Sequence, residues 1–272
     1  MCLPRSEAVI GIDIADLSLY DVDFSVSFDM ISAAIQLGRK YKIIDMSERA
    51  LEFLRGFYTD SLDTWNVVDG SWCPPDWKDV HAIGVINLAR LTGQLSLLPV
   101  AFMVCVVRID GDVVHGFDRE DGSKEHLTLE DLRLCFQAKT RLREANIAAS
   151  FRSLTPTPAP GCSVPPHCAQ MLWKAFRGDR IDTQVKVLMH SDVLLHTVAN
   201  YLTDKEGRHI LCPACISMVE ERDQKENQAL WDRLPELLGI DIPGWPKSAA
   251  ALAPDPAPAP APAPGPGATA AT

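Results

Sequence analysis

Apolar residues recur along this chain mostly at helical spacing, and that rhythm predicts its main elements. Phe28, Ile31, Ile35 and Leu37 mark a first helix over residues 28–41, with Ser27 placed to cap it. Asp45 and Glu48 have the separation of a capping box, Asp replacing the usual Ser or Thr. The helix they open reaches about Tyr58 and buries Ala50, Leu51, Leu54 and Phe57. So short a connection makes these two helices neighbours in space. Val80, Ile83, Ile86, Leu88 and Leu91 predict a mostly apolar helix over 80–92, closed by Gly93. Residues 97–107 are apolar nearly all round, which predicts a central, buried helix.

The pattern then changes. Asp110-Gly111 and Asp121-Gly122 are turn signals flanking a short strand-like piece, 113–117. Thr128 and Asp131 open a long helix to about Ala149, with Leu132, Phe136, Leu142 and Ala145 on its buried stripe. Between the second and third helices, residues 59–78 carry Trp65, Trp72 and Trp77 beside Pro74 and Pro75. They read as a connection with a short helical turn, its tryptophans laid over the core, a ligand-stacking surface being the alternative. Residues 155–166 are Pro-rich and predict an exposed link or cover loop. A C-terminal helical section follows over roughly 168–176, 192–202 and 213–234, Pro213 suiting a first helical turn. Trp231, Leu234, Leu237, Leu238 and Trp245 close the fold, and residues 246–272, almost only Ala and Pro, form an extended solvated tail. The expected class is therefore mainly α with few short strands. The segments fall at 1–58, 59–153, 154–245 and 246–272.

The first two helices carry a resemblance. Residues 31–43 read Ile-Ser-Ala-Ala-Ile-Gln-Leu-Gly-Arg-Lys-Tyr-Lys-Ile, then come Met46 and Ala50-Leu-Glu-Phe-Leu54. This resembles the last helical pair of a BTB (POZ) domain. The stretches 82–93, 116–122, 129–131 and 231–235 are similar to the C-terminal part of fungal, basidiomycete-type BTB proteins. A full BTB domain has a strand hairpin and several helices before this pair, whereas some 20 residues precede it here. The resemblance is therefore to such a protein lacking the N-terminal part of the domain. It implies protein–protein interaction, as an adaptor, through a face containing Ile31, Ile35, Leu37 and Tyr41. A cullin-type ubiquitin ligase scaffold and transcriptional partners are what the family suggests. Half a domain leaves dimerisation through that face open, and a truncated product without retained activity is a further reading.

Charge and cysteine content narrow the rest. A formal net charge of −10 disfavours nucleic acid and anionic membrane as partners. The apolar run 97–107 is shorter than the roughly 20 residues a bilayer span needs. No signal-peptide pattern is evident at the N-terminus, so an intracellular location, cytoplasm or nucleus, is expected. In that setting the eight cysteines are reduced or bind metal. Four of them form close pairs, Cys162 with Cys168 and Cys212 with Cys215. Four thiolates satisfy tetrahedral zinc, and Cys212-Pro-Ala-Cys215 has the spacing of a zinc knuckle. The first pair is more loosely spaced, and His167 or His209 could replace a cysteine. A structural zinc tying the Pro-rich loop to the last long helix is one reading; ordinary thiols are the other.

Cys212-Pro-Ala-Cys215 also permits a thiol–disulfide oxidoreductase, because a helix N-terminus favours thiolate. No βαβ pattern surrounds it. The chain has no Gly-rich phosphate loop, His-Glu-x-x-His or Gly-x-Ser-x-Gly, residues 118–122 lack the ligand alternation of a calcium loop, and His190 and His196 read as structural. The expectation is a binding protein, not an enzyme.

Overall fold

The computed structural model describes residues 26–67, 72–177, 202–203 and 209–245. It is mainly helical: α1 (Phe28–Tyr41), α2 (Ile44–Phe57), α3 (Leu62–Val67), α4 (His81–Thr92), α5 (Leu98–Val104), α6 (Leu129–Ser153), α7 (Pro165–Arg177), α8 (Pro213–Asp232) and α9 (Leu234–Leu238). Two short strands, β1 (Phe117–Asp118) and β2 (Lys124–Glu125), pair antiparallel with Phe117 opposite Glu125. The helix read over 192–202, except for Leu202 at its end, the histidines 190 and 196, and the Ala/Pro tail lie outside the described residues.

Ser27 caps α1 as its position predicts, its hydroxyl accepting from the Met30 N–H at 3.2 Å. The capping box at α2 does not form. The chain leaves α1 through Lys42 at φ 58° and enters α2 from Ile43, which offers no side-chain cap, so Asp45 falls inside the first turn. There its carboxylate still favours the positive end of the helix dipole. Ala50, Leu51 and Leu54 are buried, while Phe57 packs at the margin.

Helix α5 is buried on all sides, and its last turn widens into π geometry over Cys105–Ile109. Around it a continuous core gathers Phe28, Ile31 and Ile35 of α1, Ile83, Val85 and Ile86 of α4, Leu142 of α6, and Trp231 and Leu234 near the C-terminus. The helical pair α1–α2 thus shares one core with the section that follows it. Trp65 and Trp77 are buried and Trp72 packs beside them; the Trp77 indole donates to the Val26 carbonyl at 2.7 Å. These tryptophans cover the core.

Three expectations need correction. Residues 110–115 wind as a tight 3-10 turn with Val113 buried, and the strand begins only at Phe117. Leu91 is exposed, because the last turn of α4 reaches past the core. On α6 the buried residues are Leu134, Cys135, Ala138, Leu142 and Ala149 with Asp131, Asn146, Ser150 and Ser153, while Phe136 points outward. The stripe is small and polar because α8 packs closely along it. Asp131 at its start is held by Arg90 at 2.9 Å and by the Thr128 hydroxyl at 2.9 Å.

The N-terminus of α1 is latched to the hairpin. Asp29 accepts from Arg119 Nε at 2.6 Å and from the Glu120 N–H at 3.0 Å, and Arg119 also reaches Glu125 at 3.1 Å. Beneath them the Phe28 ring is wedged between Trp77, His81 and Phe117, each at 5.3 Å. The tip of the ring abuts Gly84: a Cβ there would sit 2.1 Å from Phe28 Cζ and under 3.0 Å from both Cε atoms. Gly→Ala in a helix interior ordinarily stabilises by roughly 1 kcal/mol. Overpacking costs about 1–3 kcal/mol, and here the ring has nowhere to go. Gly84→Ala is therefore expected to lower stability by a net of up to about 2 kcal/mol. Chemical denaturation checks this, and a raised midpoint would contradict the packing argument.

A second, smaller cluster lies beyond the end of α6. Among the described residues it consists of Leu154, Ala159, Cys168, Leu172, Leu202, Leu211, Cys212, Cys215 and Val219. Helix α8 runs through both clusters, and it is tied to the end of α6 by Arg152–Glu226 at 2.7 Å and to the segment after α6 by Arg222 donating to the Thr155 carbonyl at 3.1 Å.

Candidate metal centre

Among the described residues, three of the nine buried members of the second cluster are cysteines, and Met171, Ile210, Ile216 and Met218 pack partly buried against it. A small cluster rich in cysteine is the setting in which a disulfide or a metal staples a fold. No described cysteine is in a disulfide.

Three pieces of chain deliver the four sulfurs: the turn at Cys162, the first turn of α7 and the start of α8. Cys162 follows the Pro-rich loop, where its N–H donates to the Ala159 carbonyl at 3.0 Å and forms a tight turn. That loop is a cover rather than a free link, since Ala159 is buried. Cys168 faces inward from the first turn of α7. Cys212 is the extended N-cap residue of α8, φ −71° and ψ 159°, and Pro213 begins the helix without losing a hydrogen bond. Cys215, one turn in, donates its N–H to the Cys212 carbonyl at 3.0 Å, which sets both sulfurs on one side. A single bridge between Thr203 and His209, with Ile210 N–H donating to the Leu202 carbonyl at 2.9 Å, feeds the chain into this start.

All four sulfurs lie within 4.8 Å of one another, and Cys162 and Cys212 are 3.6 Å apart. Metal–sulfur bonds of about 2.3 Å in tetrahedral array place sulfurs roughly 3.8 Å from each other. A zinc-sized ion therefore fits the set with small adjustments. Backbone donors support it: the Ala159 N–H reaches Cys215 Sγ at 3.3 Å and the Cys212 N–H reaches Cys168 Sγ at 3.4 Å. Such bonds partly neutralise thiolate charge.

Without a cation the four groups divide. Backbone N–H groups of Cys215 and Ser163, together with the Cys162 and Ser163 side chains, lower the Cys212 thiol to about 6. Burial pushes Cys215 up to about 12 and raises Cys168 as well. One thiolate forms easily and its neighbours resist. A divalent cation among them reverses that balance, since its charge favours deprotonation of every ligand.

The histidines do not join the set. His167 Nε2 lies 3.2 Å from the Ile210 carbonyl, and His209 is exposed and takes part in the bridge. The site is all cysteine. The pairing at 212 and 215 was legible from spacing, whereas the Ser163 and Ala159 donors carry no sequence signal.

The residues read as an interaction face divide between core and surface. Ile31 and Ile35 are buried in the main core and take no part in any surface. A helix turning its 28/31/35 stripe inward must turn Leu37 and Tyr41 outward, and both are exposed. Ile43 and Ile44, missed in the periodic reading because they sit in the inter-helix turn, are exposed beside them. No helix among the described residues is long and apolar enough to cross a membrane. No protein-family model, no curated protein and no solved structure matches the chain.

Proposed function

We propose that this chain acts by binding another protein, and that a structural four-cysteine zinc centre holds its C-terminal unit in the shape that binding requires. The observation that carries the zinc reading is the convergence of Cys162, Cys168, Cys212 and Cys215, their sulfurs within 4.8 Å of each other. Thiolates are soft ligands, and four of them in tetrahedral reach favour zinc over calcium or magnesium, which take oxygen. With every position filled by protein, such a centre has no open site for water or substrate and serves the fold. Support for a binding role comes from the exposed side chains at the α1–α2 turn and from the likeness of residues 31–43 to the end of a BTB domain. An adaptor role follows from that likeness alone.

The lowered thiol of Cys212 at the start of α8 favours one other reading, a thiol–disulfide oxidoreductase using Cys212 and Cys215. Both sulfurs are buried against Cys162 and Cys168, which leaves little room for a substrate disulfide. One experiment separates the two. Chain purified without chelator is expected to contain close to one zinc per molecule by mass spectrometric metal analysis, and chelation is expected to expose four titratable thiols. Metal below about one-tenth per chain, with a reduced Cys212–Cys215 dithiol that reduces a model disulfide while closing to its own disulfide and is regenerated by an added dithiol reductant, would establish the oxidoreductase instead.

A further inference from the structure

We infer that the turn joining α1 to α2 is a docking site for a short acidic segment of a partner protein that carries apolar side chains. The inference rests on the protein-binding reading above and names its surface and the chemistry of its partner.

Four large apolar side chains stand out from this one turn: Leu37 is 45 % exposed, Tyr41 62 %, Ile43 49 % and Ile44 74 %. Scattered exposed apolar residues are ordinary, but four within eight positions concentrate apolar surface at one turn. Arg39, Lys40 and Lys42 are interleaved with them and are exposed too. No ion pair among the described residues involves any of these three cations. Lys40 lies over the Tyr41 ring at 5.3 Å, so its charge and the ring's apolar body are presented together. Asp45 is the one exposed carboxylate within the turn. On a chain of net charge −10, this is a local excess of positive charge around an apolar centre.

The turn is also held in place. Lys42 takes a left-handed conformation, φ 58°, the Ile43 N–H donates to the Gly38 carbonyl at 2.8 Å, and Gly38 lets α2 approach until a Cβ would lie 2.8 Å from Ser47 Cβ. A glycine at position 42 would adopt that φ without strain, roughly 1 kcal/mol more comfortably. The chain places a lysine there instead. Rigid presentation lowers the entropy lost when a partner docks.

Charge complementarity selects the occupant. An anionic bilayer is an extended plane and meets the acidity of the whole molecule. A short peptide lies within about one Debye length, ~8 Å at physiological salt, and meets only the local cations. Nucleic acid would supply phosphates but little to cover Leu37, Ile43 and Ile44, which are aliphatic and do not stack on bases as aromatic rings do. A segment with carboxylates flanking apolar side chains satisfies both features.

The test is selection of short random displayed peptides on the full zinc-loaded chain, followed by fluorescence polarisation of the enriched sequences. Enriched peptides are expected to combine Asp or Glu with Leu, Ile or Phe. Ile44→Asp, and separately the double change Lys40→Glu with Lys42→Glu, are expected to weaken them at least about tenfold. Both sites are exposed, and an unchanged circular dichroism spectrum and zinc content show that the fold is retained. Enrichment without acidic residues, or binding that survives Ile44→Asp, overturns this inference while leaving protein binding in place. Failure of any peptide to enrich also overturns it. Cosedimentation with phosphatidylserine vesicles that Ile44→Asp abolishes would assign the surface to lipid.

Discussion

Chain carrying Cys215→Ser is expected to purify with less than about one-tenth of a zinc ion per molecule and with its C-terminal unit unfolded. Cys215 is completely buried at the centre of the smaller cluster, and its sulfur accepts the Ala159 N–H that fastens the Pro-rich loop. A serine hydroxyl neither ionises nor binds zinc at neutral pH, so the ion loses one ligand of four and the cluster loses its staple. In small metal-folded units zinc binding is worth on the order of 10 kcal/mol of folding free energy. Cys215 stands among Leu154, Leu172, Leu211 and Val219, so loss of the ion is felt throughout the described part of this cluster. Hydrogen exchange is the measurement. Amides of α7 and of the first turns of α8 should lose protection, while those of α4 and α5, in the other core, should keep it. Cys105→Ser is the control, because Cys105 is buried in the main core. It should retain full zinc. Cys215→Ser protein that keeps both its metal and the protection of α7 would end the structural-zinc reading.

Trp231→Ala should cost about 3–5 kcal/mol, the largest loss expected of a single substitution in the main core. Trp231 is 1 % exposed and is the point where α8 closes on the segment around α3. Its ring packs with Trp65 at 6.2 Å and Trp245 at 5.2 Å. Its indole N–H donates to the Asp60 carbonyl at 3.4 Å, and its own carbonyl accepts from the Trp245 indole at 2.9 Å. Truncation leaves a cavity and removes the contact between α8 and the segment before α3 together. Trp231→Phe keeps part of the volume and should cost less. Urea denaturation reads both. Zinc content should not change, because Trp231 is at the far end of α8 from Cys212 and Cys215. A loss under about 1 kcal/mol would mean that this end of the chain does not close the core.

How far the fold was legible depended on whether one face of an element met one environment. Helix α1 meets the core on one side and solvent on the other, so Phe28, Ile31 and Ile35 announce it and its bounds agree with the spacing. Helix α5 meets core everywhere, and an unbroken apolar run says so. Helix α6 meets the π turn, α8 and α9 around its circumference, and close approach to α8 favours Ala149, Ser150 and Ser153 over large side chains. Hydropathy therefore found Leu142 and the partly buried Leu132 and Ala145, missed the small and polar residues, and put Phe136 inside. The capping box failed for a related reason: Lys42 in the left-handed region leaves no extended residue at which Asp45 could cap.

The candidate centre shows the same division. Cys212-Pro-Ala-Cys215 is a local matter, since an N-cap and a residue three further on lie on one side of a helix start whatever surrounds it. That much the order of residues determined by itself, along with the helical class, the main buried stripes and the excess of acidic charge. Whether Cys162 and Cys168 would meet that pair was not local. They stand 50 and 44 positions from Cys212, and the geometry that brings their sulfurs to it belongs to α7, the Ala159 turn and the packing of α8 along α6. Tertiary structure alone decided that, and it also decided which apolar residues of the first helical pair were free to face a partner. Short-range periodicity reports only the preferences of one element; ligand distances and surface exposure are set by how several elements exclude water from each other.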